Sequence, residues 1–379
     1  MPWKEVSTMS LRLDFVQLAS QPDANVRELC RRFQVSPKTA YKWLARFRLQ
    51  GEQGLTDRSR RPARSPDRTP NEMEQRILAL RNQHPAWGGR KLRARLLALK
   101  VTDVPAASTI TAILHRHGLI DPEQADAHRP YCRFEHDAPN RLWQMDFKGH
   151  FATDQGRCHP LTVLDDHSRF SLGLFACADE RTETVQGHLT TLFRRYGLPE
   201  RILCDNGSPW GSGPDADHTP LTVWWLRLGI RVSHGRPYHP QTQGKDERFH
   251  RTLKAEVLQG TTFRNVLDCQ PRFDDWRKVY NHERPHESLA MAVPASRYQA
   301  SVRCFPEELP ALLYEPPMQV RKVQTSGEIR FHNRVVKVGK AFAGYPVGVR
   351  ATTTEGLWEV YFGAQKVGQI DERPATEPK

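Results

Sequence analysis

Apolar positions along the chain change their period twice. Residues 9–50 repeat at helical spacing in three short runs. In the second run Val26, Leu29, Cys30 and Phe33 turn inward behind Asn25, which with Glu28 makes a capping-box-like start. Ser36 and Pro37 then supply an N-cap and a first-turn proline for a third helix, on which Ala40, Trp43, Leu44 and Phe47 can pack. The gap at 34–36 has the length of a helix-turn-helix corner. A second helical unit follows at 71–120. Ile77, Leu78 and Leu80 mark its first helix, Leu92, Leu96, Leu97 and Leu99 the next, and Ile110, Ile113 and Leu114 a third that Gly118 stops. Two stretches, 51–70 and 121–140, carry no period and read as linkers, the first rich in Arg, Gly, Ser and Pro.

Beyond residue 140 the pattern becomes that of strands. Apolar runs at 142–147, 161–164, 170–176 and 201–204 have strand length, and a helix at 183–196 turns Val185, Leu189, Leu192 and Phe193 inward. A buried helix at 221–228, a short strand at 230–233 and a helix at 265–280 with Leu267, Phe273, Trp276 and Val279 as core complete a mixed α/β domain over 141–300. Within it, residues 235–256 read GRPYHPQTQGKDERFHRTLKAE: a Gly/Pro loop feeds a helix whose Phe249, Leu253 and Val257 recur at i, i+4 and i+8. From 319 to 370 short apolar strands alternate with Gly turns, which predicts a small β-barrel of the SH3-like kind over 318–372. The expected class is multidomain, with all-α helix-turn-helix units at 1–50 and 71–120, a central α/β core and a C-terminal small barrel.

Composition sharpens this. A chain of 379 residues is too long for one ordinary core, and a formal charge of +13 attracts polyanions, nucleic acid first among them. The seven cysteines are scattered without a C-x-x-C pair, which points to a reducing compartment and away from a zinc module. No apolar run approaches the roughly 18 residues of a membrane span, and the N-terminus lacks an apolar signal core, so the expected location is cytoplasmic.

A recognition helix needs donors on its free face, and the third helix offers Lys38, Thr39, Tyr41, Lys42 and Arg46. Arg58, Arg60, Arg61 and Arg64 in the first linker are suited to phosphates or a minor groove, and Arg90 and Lys91, with Arg93 and Arg95, make the middle helix of the second unit basic. The plain alternative for each is a solvated charged face.

Three acidic residues stand where a metal site wants them. Asp146 interrupts an apolar strand, Asp205 follows a strand at once, and Glu247 opens the helix after the Gly/Pro loop. Such carboxylates suit hard divalent cations that activate a hydroxyl against a phosphodiester. Singly, Asp205-Asn206-Gly207 is an ordinary turn and Glu247 an ordinary helix-start charge. Asp165 and Asp166, at the end of another strand, are competitors that read as a turn.

The series WQMDF, CDNGSPW, HGRPYHPQTQGKDERFHRTLKAE and YNHERPHESL resembles the catalytic core of insertion-sequence transposases that share a fold with retroviral integrases. The resemblance implies a ribonuclease-H-like core and a DDE triad at Asp146, Asp205 and Glu247, holding two Mg²⁺ ions with Mn²⁺ as a substitute. It further implies DNA contacts from Tyr238, Gln243 and Lys245 on the loop and from Arg248, His250, Arg251 and Lys254 on the helix. Double-stranded DNA (element ends and target), a homo-oligomer pairing two ends, and a bacterial, nucleoid-associated location follow from the same likeness. An inactive-core regulator or a nuclease of the same fold is the alternative. The interval from Asp205 to Glu247 is longer than is usual in the family, and 210–220 reads as a surface insertion that lengthens it.

Overall fold

The computed structural model describes residues 7–58, 68–120, 135–211, 218–235 and 244–373. The chain forms two compact units, Met1–Arg68 and Thr69–Lys379. In the first, α1 (Thr8–Ala19), α2 (Val26–Arg32) and α3 (Pro37–Gln50) enclose Phe15, Val16, Ala40, Trp43 and Leu44. The side chains of Asn25 and Ser36 accept from the amides of Glu28 and Thr39, each at 3.2 Å, so both expected caps form. The start of the region read as a linker is ordered: a 3₁₀ turn at Gly51–Leu55 buries Leu55 completely.

The second unit opens with α4 (Asn71–Gln83), α5 (Gly89–Ala98) and α6 (Ala107–Arg116) around Ile77, Trp87, Leu92, Leu96, Ile110 and Leu114. Gly89 lets α5 meet α6 closely, since a Cβ there would lie 2.5 Å from the Ala107 carbonyl. Leu97 and Leu99, expected in this core, are instead 46% and 52% exposed; Trp87 and Leu92 fill the space.

A six-stranded mixed sheet follows: β1 (Trp143–Phe147), β2 (Phe151–Thr153), β3 (Gly156–Asp165), β4 (Ser171–Cys177), β5 (Arg201–Cys204) and β6 (Arg231–His234). β3 pairs antiparallel with β1, β2 and β4, and β5 runs parallel between β1 and β6. One face packs Trp143, Met145, Leu161 and Val163 against α7 (Thr182–Tyr196) and α8 (Pro220–Arg227). The other packs Leu164 and Leu174 against Phe249 and Leu253 of α9 (Gly244–Leu253) and against Phe273, Trp276 and Tyr280 of α10 (Val266–His282). α9 ends in a π turn at Lys254–Leu258. The inward stripe of α10 is Cys269, Phe273, Trp276 and Tyr280, at i, i+4, i+7 and i+11. Leu267 falls off that stripe and is 82% exposed, not core as expected.

Side chains of α10 also cover the open edge of β4. Asn281 accepts from the Ser171 amide (2.8 Å) and donates to its carbonyl (2.9 Å), Arg277 donates to the Leu172 carbonyl (3.0 Å), and Gln270 serves the Leu174 carbonyl and the Ala176 amide.

The C-terminal region corrects the expected barrel. β7 (Gln319–Lys322), β10 (Pro346–Ala351), β11 (Leu357–Phe362) and β12 (Gln365–Asp371) form a four-stranded antiparallel sheet, and β8 (Glu328–Phe331) with β9 (Arg334–Lys337) forms a separate hairpin. Both contribute to one core of Ile329, Phe331, Phe342, Val347, Val349, Val360 and Phe362. A 3₁₀ turn at Lys340–Phe342 takes the chain from β9 to β10 with no ladder between them, so the sheets stay open. Val223 and Leu226 of α8 belong to this same core. No helix among the described residues is long and apolar enough to cross a membrane.

Candidate active site

Parallel pairing sets the first two carboxylates side by side. Trp143 lies opposite Ile202 and Gln144 opposite Leu203, so Asp146 and Asp205, each two residues further on, leave the same ends of neighbouring strands. The carboxyl end of parallel strands is where open α/β sheets place ligands. Asp146 has a side chain only 23% exposed, and burial, then the charge of Asp205, with smaller contributions from Glu180 and Glu247, push its carboxyl up to about 7.

The strand opposite Asp146 presents Thr162, whose hydroxyl donates to the Asp146 carbonyl at 2.9 Å. That leaves the Thr162 oxygen to accept from His250 Nε2, also 2.9 Å away, and turns His250 Nδ1 toward Asp146 Oδ2 at 3.9 Å. Burial, reinforced by Lys148, lowers His250 to about 4, so the ring is neutral at pH 7. Thr162 and His250 therefore join α9, the helix of Glu247, to the strand of Asp146.

Asp205 is held from its own loop. Its Oδ1 accepts from the Gly207 amide (3.0 Å) and from the indole of Trp210. Trp210, expected to open a surface insertion, is 1% exposed and stacks on Phe147 at 5.4 Å; its apolar ring belongs to the core under the strand ends. Residues 212–217 of that expected insertion lie outside the described residues.

Glu247 is exposed on the first turn of α9. Beside it Asp246 is 1% exposed with no partner for either oxygen among the described residues; burial, with Asp146 and Asp166 nearby, holds its carboxyl well above the usual range. Among the described residues no three His, Cys, Asp or Glu side chains come close enough to enclose an ion. The donor set nevertheless fits a hard divalent cation. These are oxygen ligands, and burial together with the charge of Asp205 raises the proton affinity of Asp146, which a cation beside them would offset.

Asp165 and Asp166 close a turn as the sequence suggested. Asp165 accepts from the amides of Ser168 and Asn140, both at 2.8 Å. Asp166 accepts from Gln144 Nε2 (2.7 Å), from the His136 amide (2.9 Å) and from the ammonium of Lys245. Lys245, expected on DNA, thus spends its charge inside the protein, with a side chain 18% exposed.

The other expected DNA contacts are distributed as follows. In the first unit Lys38, Tyr41 and Lys42 are exposed on α3, Thr39 bonds Ser36, and Lys42 and Arg46 lie over the Trp43 ring at 4.3 and 5.0 Å. Arg58 is exposed and donates to Gln50. Arg248 and Arg251 are exposed on α9, and Lys254 on the π turn that follows it. Arg90 is exposed 3.7 Å from Glu287, and Lys91 is largely buried. Arg60, Arg61, Arg64, Tyr238 and Gln243 lie outside the described residues. Thr162 and Asp246 were not anticipated; the one signal was that each adjoins a residue of the motifs in space or in sequence.

Residues 136–240 and 228–294 match two families described as integrase core domains. Residues 11–63 match a helix-turn-helix domain, 39–114 a homeodomain-like domain, and 318–378 the C-terminal domain of IS481 family transposases. An uncharacterized 39.2 kDa protein of insertion element IS476 from Xanthomonas euvesicatoria is 27% identical over 165 residues, covering 44% of this chain and 46% of its own length. One of insertion element IS407 from Burkholderia multivorans is 24% identical over 158 residues, 42% of this chain and 55% of its own. The chain thus spans about half the length of these two relatives. A solved simian T-cell lymphotropic virus intasome aligns with 80% of the chain at 14% identity and a TM-score of 0.39.

Proposed function

We propose that the chain is a DDE transposase of an insertion sequence, which binds the terminal inverted repeats of its element and joins the cut ends to target DNA. The observation that carries the reading is the placing of Asp146 and Asp205 at the same end of adjacent parallel strands, with Asp146 made reluctant to ionise by its burial and then by the charge of Asp205. These three residues would hold Mg²⁺, two ions in our reading, with Mn²⁺ able to replace it. Bound there, the ions would supply activation of the attacking hydroxyl and charge stabilisation of the leaving oxygen of a phosphodiester.

The chain's own residues do the rest. Thr162 and His250 fix the helix of Glu247 against the strand of Asp146, and Trp210 fixes Asp205. The exposed cations Arg248, Arg251 and Lys254 hold the DNA strands beside the carboxylates, with Tyr238 and Gln243 on the preceding loop. Lys38, Tyr41, Lys42 and Arg46 on α3 read the element end, with the following arginines on its phosphates. Pairing two ends calls for a homo-oligomer. The domain limits follow the sequence: helix-turn-helix units at 1–50 and 71–120, core at 141–300, and a small β domain at 318–372.

The test is joining of a labelled duplex carrying the element end into plasmid, with Mg²⁺ or Mn²⁺, comparing the wild type with Glu247→Gln. Joined product from the wild type alone is expected. End binding by both proteins and joining by neither would instead favour a DNA-binding regulator.

A further inference from the structure

The segment YNHERPHESL, residues 280–289, has no part in the chemistry above. In the structure it closes α10 and turns toward α5. Arg284 Nε bonds Glu256 Oε1 at 3.0 Å, both side chains under 10% exposed, and its guanidinium lies 5.7 Å from the centre of the Tyr280 ring. Against the same ring, edge-on at 4.7 Å, sits His286, which is 8% exposed and whose Nε2 has no hydrogen-bond partner among the described residues. A buried polar atom without a partner carries a desolvation cost that a ligand would offset.

Arg284, Lys91, Arg169 and Arg248 are the charges that weigh most on His286, with Glu256 and Glu287 also close by. Lys91 comes from the first turn of α5 and faces Arg284 and Arg248 as well, with Glu256 and Glu287 as the nearby carboxylates. Those acids are engaged elsewhere. Glu256 takes Arg284 and the Trp276 indole (2.8 Å), and Glu287 lies 3.7 Å from Arg90. Among the described residues the Lys91 ammonium has no hydrogen bond or ion pair, although it is largely buried. Three elements therefore bring unpaired donors and surplus positive charge to one place, next in sequence to Glu247.

We propose that Lys91, Arg248, Arg284 and His286 form a phosphate-binding site, and that its ligand is one backbone phosphate of the DNA strand lying at the carboxylates. The proposal rests on the DNA-joining reading. It gives α5 a task in positioning the reacting strand, since a phosphate held by Lys91 and Arg248 together ties the second helical unit to the helix of Glu247.

The experiment is a binding scan with the full chain and end-containing duplexes, each carrying one neutral methylphosphonate, for the wild type, Lys91→Gln and Lys91→Arg. One position is expected where the neutral linkage weakens wild-type binding by about tenfold or more, as for loss of a charged hydrogen bond. At that position alone Lys91→Gln shows little further loss, whereas Lys91→Arg behaves as the wild type. Losses that add at every position overturn the proposal. So does a shift of the His286 ring nitrogen resonances with inorganic phosphate alone and no coupled position on DNA, which would make the site one for free phosphate. Binding needs no joining, so failure of the joining assay leaves this result separately readable.

Discussion

Trp210 donates its indole N–H to Asp205 Oδ1, five residues before it, while its ring stacks on Phe147, the neighbour of Asp146. One side chain thereby couples the ends of β5 and β1. Trp210→Phe keeps the stack and removes the donor. Stability is expected to fall by about 1–2 kcal/mol, and joining by about tenfold or more through a misplaced Asp205, with end binding unchanged. Denaturant unfolding and the joining assay check this; full joining would mean that Asp205 finds its place without the indole.

Asp146 predicts a pH dependence of the metal-free protein. Its folded value of about 7 lies above the ordinary 3.8, so its contribution is fully present below about pH 4 and is lost as pH rises through 7. Asp146→Asn removes that loss. Relative to the wild type the variant should gain on the order of 2 kcal/mol between pH 4 and 8 without divalent ions, and saturating Mg²⁺ should narrow the gap. Parallel unfolding curves at the two pH values would sink the assignment.

The bridge through Thr162 predicts a change in ion requirement. Thr162→Val leaves a similar volume but frees His250 and the Asp146 carbonyl. The Mg²⁺ concentration for half-maximal joining should rise several-fold, with Thr162→Ser restoring it and end binding unmoved. Calorimetric titration of Mg²⁺ onto the protein gives the same comparison without turnover.

Asn281 and Ser171 are both buried and exchange two hydrogen bonds. Asn281→Ala strands the Ser171 amide and leaves its carbonyl only the longer bond from Arg277 (3.3 Å), and should cost about 1–3 kcal/mol, read as a lowered unfolding midpoint. A cost below about 0.5 kcal/mol would mean that water reaches the edge of β4.

Between α5 and α10 the main ion pair is Arg95 with Glu283, both side chains partly exposed. Glu283→Gln should speed amide exchange in α5 with a loss of about 1 kcal/mol or less, given solvent screening. Exchange unchanged in α5 would show that Val279, packed into the core of that helical unit, holds the helices alone.

Much of this was legible because its determinants are local. The caps at Asn25 and Ser36 and the apolar stripe of Phe249 and Leu253 need only neighbouring residues. Asp146 stood out because it interrupts an apolar strand. What escaped depends on pairing across the sheet. Thr162 gains its role only from the register that sets it opposite Asp146, and Trp210 only from the ring of Phe147 beneath the strand ends. Lys245 and His250 read as surface cations because helical spacing shows the face they occupy and not that Asp166 and Thr162 wait there. The barrel failed for the same reason, since strand runs and Gly turns do not say which ladders close.

The helix α8 is buried from Leu221 to Leu226. Trp224, Trp225 and Leu228 belong to the core of the large sheet, Val223 and Leu226 to that of the C-terminal sheets. A residue change on either face is felt by both neighbours. The C-terminal region is therefore not a cassette that recombination can exchange freely among related elements: a transplanted copy must arrive with matching partners for Val223 and Leu226, and inheritance should keep the two regions together.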